Sequence, residues 1–208
     1  PLREHNALLM AAGYAPVYPA RRLDDASLAA ARAAIDLLLK GHEPFPALAV
    51  DRHWNMIAAN VVAGGLLTAL VAPSLREAPV NVVRASLHPD GLAPHIVNLA
   101  QWRAHLLHRL DRQIAMSGDE GLRALRDEMA ALPAARHGGA DIDPAAEVFV
   151  PLILETPQGR LSLFSTITIF GTPVDVTLAE IAIESFFPAD EATRRLLLSL
   201  REDAAIPR

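Results

Sequence analysis

The sequence predicts an α+β fold: a five-stranded antiparallel sheet with a block of helices inserted between its second and third strands. Three observations carry this. Phe45–Asn60, FPALAVDRHWNMIAAN, holds two short apolar runs around a tight polar turn, the pattern of a hairpin. Leu161–Pro173, LSLFSTITIFGTP, has the β-branched and aromatic composition of a strand on a sheet face. Between them lies a long stretch of mostly helical periodicity.

The elements follow in order. Leu2–Ala12 sets Leu2, Ala7, Leu8, Leu9 and Ala12 in a helix that Gly13 closes. Tyr14–Arg22, with Pro16 and Pro19, reads as an extended linker. Asp24 or Asp25 caps a second helix, striped by Leu28, Ala31, Ile35 and Leu38 or Leu39 and ended by Gly41. In the hairpin, Ala47–Asp51 and Met56–Ala59 are strands and Arg52–Asn55 is the turn. Val61–Val71 is a short helix that Gly64 and Gly65 weaken by about 1 kcal/mol each. That glycine pair would permit a close approach of backbone or ligand. Val80–Leu87 is an apolar helix ending in the turn His88-Pro89-Asp90-Gly91. Asn98 caps a long helix through Ile114, with Trp102, Leu106 and Leu110 on one face, and Leu122–Leu132 is amphipathic. Arg136–Asp143 is a loop. Three strands follow, Glu147–Thr156, Arg160–Phe170 and Ala179–Phe187, the first two joined by the reversal Thr156-Pro157-Gln158-Gly159. Asp190–Arg201 is the final helix. Five strands with helices after the second have the order of a PAS-type sensor sheet.

Composition narrows the function. At 208 residues the chain is one domain of ordinary size and buries about 70% of its unfolded surface. Cysteine is absent, which removes disulfides, thiolate metal sites and a cysteine nucleophile, and fits a reducing, cytoplasmic setting. No apolar run approaches the roughly 20 residues of a membrane span, and no signal peptide opens the chain. The net charge is −5 and the arginines are dispersed, which disfavours a direct grip on nucleic acid. Hydrophobic residues are 51% of the chain, many of them Ala and Leu, as in a helix-rich globule.

The motifs argue against an enzyme. There is no GxSxG elbow and no phosphate-cradling loop, and Gly138-Gly139 opens no helix after a strand. His105 and His108 stand i, i+3 on a helix, with His88 and His95 upstream, yet no HExxH pattern or paired carboxylate completes a metal site. The aromatics are more telling. Trp54, Trp102, Phe149, Phe164 and Phe170 lie on elements that enclose the space between sheet and helices. Each alone reads as core; together they outline an apolar pocket. Arg84, His88, His95, Asn98 and His105 fall nearest its mouth. An arginine there either pairs with a carboxylate through two parallel hydrogen bonds or is a solvated helix residue.

LREHNALLMAAGYAP (2–16), DRHWNMIAAN (51–60), LHPDGL (87–92), IVN (96–98), STITIFGTPVDVT (165–177) and ESFFPAD (184–190) together resemble the MmyB-like ligand-binding domain of bacterial XRE-type helix-turn-helix regulators. The resemblance runs over nearly the whole chain in order. It implies a PAS-like sensor of a small apolar ligand such as a fatty acid, acting as a homodimer; no cofactor or metal is expected. It also implies that operator DNA is read by an N-terminal domain before Pro1. On that expectation residues 1–20 are that domain's last helix and a linker, and 21–208 are the ligand-binding domain. Ala93 stands where the family commonly has a basic residue, Leu99 where it has an aromatic, and Gly64-Gly65 where it has helix formers. The ligand is expected between the sheet and the helices of Val61–Ile114. Trp54, Trp102 and Phe164 would form apolar walls and Arg84, His88 and His105 polar anchors, with Tyr14–Arg22 as the lever to the DNA reader. The competing reading is a ligand-free dimerisation module that fills the pocket with its own side chains.

Overall fold

In the computed structural model, residues 1–133 and 150–205 are described. Helix α1 (Leu2–Ala11) ends at Gly13, whose φ of +84° needs glycine. The linker that follows is tied down. The Asn6 side chain holds Val17 and Tyr18, and Val176 N donates to Pro19 O at 2.8 Å. Asp25 caps a 3-10 turn at Ala26–Leu28 through Ser27 N, leading into α2 (Ala29–Gly41), where Ile35 and Leu39, not Leu38, are buried.

Strands β1 (Ala47–Val50) and β2 (Met56–Ala59) form the expected hairpin. The insert is α3 (Val61–Leu70), a 3-10 turn at Pro73–Arg76, α4 (Val82–Leu87), a 3-10 turn at Ala93–His95, α5 (Leu99–Ser117) and α6 (Glu120–Ala131). Then come β3 (Leu152–Thr156), β4 (Gly159–Ile169), the short α7 (Val176–Ala179), β5 (Ala182–Pro188) and α8 (Glu191–Ala205). All pairings are antiparallel and the order is β2-β1-β5-β4-β3, compatible with a PAS-like fold.

Several expected boundaries move for local reasons. Asn81 accepts from Arg84 N, so α4 starts at Val82 rather than Val80. Asp175 caps α7 through Thr177 N, so Ala179 is helical and the last strand opens at Ala182. Asn98 precedes α5 without capping it. Its amide instead reaches β3, donating to Pro151 O at 2.7 Å and accepting from Ile153 N at 3.2 Å. A Cβ on Gly64 or Gly65 would meet nothing within 4 Å, so no other part of the chain approaches either closely. Arg136–Asp143, Gly138-Gly139, Phe149 and the start of the expected strand at Glu147 lie outside the described residues.

Strand alternation divides the core in two. The inner face presents Leu48, Val50, Leu152, Leu154, Leu161, Leu163 and Phe186 to the insert, where Trp54, Val83, Leu87, Trp102, Leu106, Leu110, Leu122, Leu125 and Met129 pack against them. The outer face sets Ala47, Ala49, Ile181 and Ile183 against Ile35 and Leu39 of α2. At roughly 25 cal/mol per Å² of apolar surface, the larger inner cluster dominates stability. No helix among the described residues is long and apolar enough to cross a membrane.

Candidate functional site

Helix α5 crosses the inner face. Trp102, Leu106 and Leu110, at i, i+4 and i+8, turn into the core. A quarter-turn away, His105, His108, Arg109 and Arg112 flank a cavity of about 230 Å³, closed on the other side by Ser165 and Ile167 of β4. Two of these lining residues share a buried partner, Glu184, 5% exposed, which accepts from Arg109 Nη1 at 3.1 Å and from Ser165 Oγ at 3.0 Å.

Both tryptophans brace this cluster. The Arg109 guanidinium lies 4.2 Å over the Trp54 ring, a cation–π contact, and Trp54 Nε1 donates to Gln113 Oε1 at 2.8 Å. Trp54 holds a φ of +67°, a left-handed conformation that a bulky side chain rarely adopts. The turn enforces it: the Asp51 carboxylate binds His53 N and Asn55 N, and Asn81 Nδ2 donates to His53 O. Trp102 stacks on His105 at 5.5 Å and donates to Ser86 Oγ. Burial, then the Arg109 charge, lowers the His105 pKa, outweighing Glu184, so the imidazole is neutral near pH 7. Arg109 Nη2 is buried and has no hydrogen-bond partner. Its guanidinium therefore holds an unused donor beside the cavity.

The six residues expected to form the site do not gather in one place. His105 lines the cavity, and Trp54 and Trp102 support it from behind. Arg84 pairs bidentately with Glu128 of α6 at 2.7 Å per bond. His88 Nδ1 accepts from Asp90 N, closing its own turn. Phe164 is on the opposite face of the sheet from the insert, stacked on Phe187 at 5.4 Å, which meets His42 at 4.7 Å. It cannot wall a space beneath the insert, because Leu163 and Ser165 on either side point inward. Arg109, Glu184, Ser165 and Gln113 were missed. The i, i+4 spacing from His105 is the one signal that leads to Arg109, whereas a single acid in a strand carries no signal that it is buried.

A larger groove of about 720 Å³ lies on the outer face, lined by Arg22, Leu23, Asp24, Arg32, Ile35, Asp36, Ile57 and Ala58. Its arginines are engaged: Arg22 with Asp24, and Arg32 with Leu23 O and Asp25 O. Among the described residues no three His, Cys, Asp or Glu are arranged to hold a metal ion.

No curated protein matches the chain significantly. Residues 31–200 match the family of the MmyB-like transcription regulator ligand binding domain, a regulatory rather than an enzymatic family. With that match covering most of the chain, and a five-stranded sheet roofed by an inserted helical block beneath it, this protein belongs to the MmyB-like ligand-binding domains of transcription regulators.

Proposed function

We propose that the domain senses a small amphiphilic anion, a fatty acid in the simplest case, with its carboxylate at Arg109 and Arg112. The observation that carries this is the buried, unpartnered Nη2 of Arg109 beside a cavity flanked by a second arginine and two histidines. A carboxylate accepts two parallel N–H bonds from such a fork. Ile167 and Ile169, the latter 65% exposed, continue the inner face away from the cavity and offer an apolar path for a tail. Covering about six methylenes contributes roughly 5 kcal/mol before association costs. In the regulator the domain would act as a homodimer in the cytoplasm. Ligand binding would change operator affinity through a DNA-reading domain by favouring one dimer arrangement.

Native mass spectrometry and thermal shift with saturated fatty acids from decanoate to stearate test this. A lipid adduct, and a melting shift that Arg109→Gln abolishes, are expected. A clean protein mass with no shift across the series refutes the reading. The dense inner cluster favours a second reading, a ligand-free dimerisation module. It predicts a dimer by light scattering that is indifferent to the same series.

A further inference from the structure

The turn that carries Trp54 also carries Arg52, and Arg52 faces two acids. Its Nη2 lies 2.7 Å from Asp119 Oδ2 at the α5–α6 junction, and its Nη1 lies 3.8 Å from Glu180 Oε1. Glu180 already holds Arg3 of α1 through two bonds, Nε to Oε1 at 2.6 Å and Nη2 to Oε2 at 2.8 Å. Two arginines therefore converge on one glutamate oxygen. The rest of the attachment of α1 is partial: His5 packs on Tyr18 at 5.4 Å between ring centres, and Leu2, Glu4 and Leu9 are only half-buried. Its one buried residue is Asn6, which holds the linker, while Leu8 and Met10 are exposed. A terminal helix with one buried residue, held in part by an ion pair, belongs to the less stable part of a structure.

We infer that Arg52 is a two-position latch on α1: paired with Asp119 it leaves Glu180 to Arg3, and swung onto Glu180 it displaces Arg3 and frees the helix. The two positions differ by a guanidinium movement of an ångström or so on an arginine only half buried. Asp119 is the acid that decides between them, and it is shared with His53 Nε2 at 3.1 Å. The latch stands on this geometry with or without a ligand at Arg109. The turn's position next to the cavity is what would let the cavity bias it, since the Trp54 ring two residues on is braced by Arg109.

Hydrogen–deuterium exchange of the Leu2–Ala11 amides tests it in the full chain. Asp119→Asn keeps an N-cap for α6, because asparagine caps as well as aspartate, but removes the charge that retains Arg52. Exchange in α1 should then rise by about two- to fivefold, as it should in Glu180→Gln, the range expected for losing a half-exposed ion pair. Arg52→Gln alone should leave α1 protected, and Asp119→Asn with Arg52→Gln should restore protection to the wild-type level. An Asp119→Asn variant with unchanged α1 exchange overturns the latch. So does a double variant as unprotected as Asp119→Asn alone, or a Glu180→Gln variant that leaves α1 protected.

Discussion

Asn60, the last residue of the DRHWNMIAAN motif, joins three elements, and its replacement tests how the insert is attached. Its side chain is 5% exposed and makes four bonds. Oδ1 accepts from Ala47 N at 3.1 Å and Ala63 N at 3.0 Å, while Nδ2 donates to Phe45 O at 2.8 Å and Leu39 O at 3.3 Å. One amide thus caps α3, opens β1 and closes α2. In Asn60→Ala the lost cap costs about 1 kcal/mol. Stranding the N–H of fully buried Ala47 and the Phe45 carbonyl adds about 2–3 kcal/mol, Leu39 O keeping its bond from His42 N. The total is about 3–4 kcal/mol. With a urea m-value of about 2 kcal/mol/M, the unfolding midpoint should fall by about 1.5–2 M at unchanged m. Asn60→Asp is the sharper variant. It keeps both acceptor bonds and a good cap, but turns an oxygen toward Phe45 O and Leu39 O and buries a charge. It should therefore be at least as unstable as Asn60→Ala. An Asn60→Asp protein within about 1 kcal/mol of wild type would show that capping alone matters and refute the argument.

Two further outcomes follow from local geometry. A Cβ on Gly91 would sit 2.2 Å from the backbone oxygen of Ala85, which must remain in place to accept from Leu92 N. Gly91→Ala should lose about 2–3 kcal/mol by urea unfolding, whereas Gly64→Ala should be neutral or gain up to about 1 kcal/mol. Burial and then Arg109 lower the His105 pKa in the fold, so below about 6.5 the unfolded chain binds the proton first. Stability should therefore fall as pH drops from about 6.5 toward the folded value. Thermal melts of His105→Gln between pH 5 and 7 should show a shallower dependence than wild type; an identical slope would count against the assignment.

What was legible in the sequence was local. Period-2 and period-3.6 patterns located the hairpin, the β4 strand and the Trp102-Leu106-Leu110 stripe, because side chains on one element share a face by covalent geometry alone. Cap and turn residues marked most ends within a few positions. Where they missed, as at Asn98, a distant backbone segment competed for the same amide.

The site was decided between elements. Arg84 and Arg109 are both helical arginines, and nothing adjacent in the chain distinguishes them. Glu128 on α6 meets the first and leaves it at a half-exposed surface, while Glu184 on β5 and the Trp54 ring meet the second beside a cavity. Phe164 illustrates the same limit. Alternation puts it on one side of β4, but the register Phe164↔Phe187 and the packing of Leu163 under the insert decide that this side faces outward. The sequence by itself determined the elements and their order, since those depend on neighbours a few residues apart. Which charges meet and which face is covered depended on contacts between segments far apart in the chain, and only the folded chain brings those together.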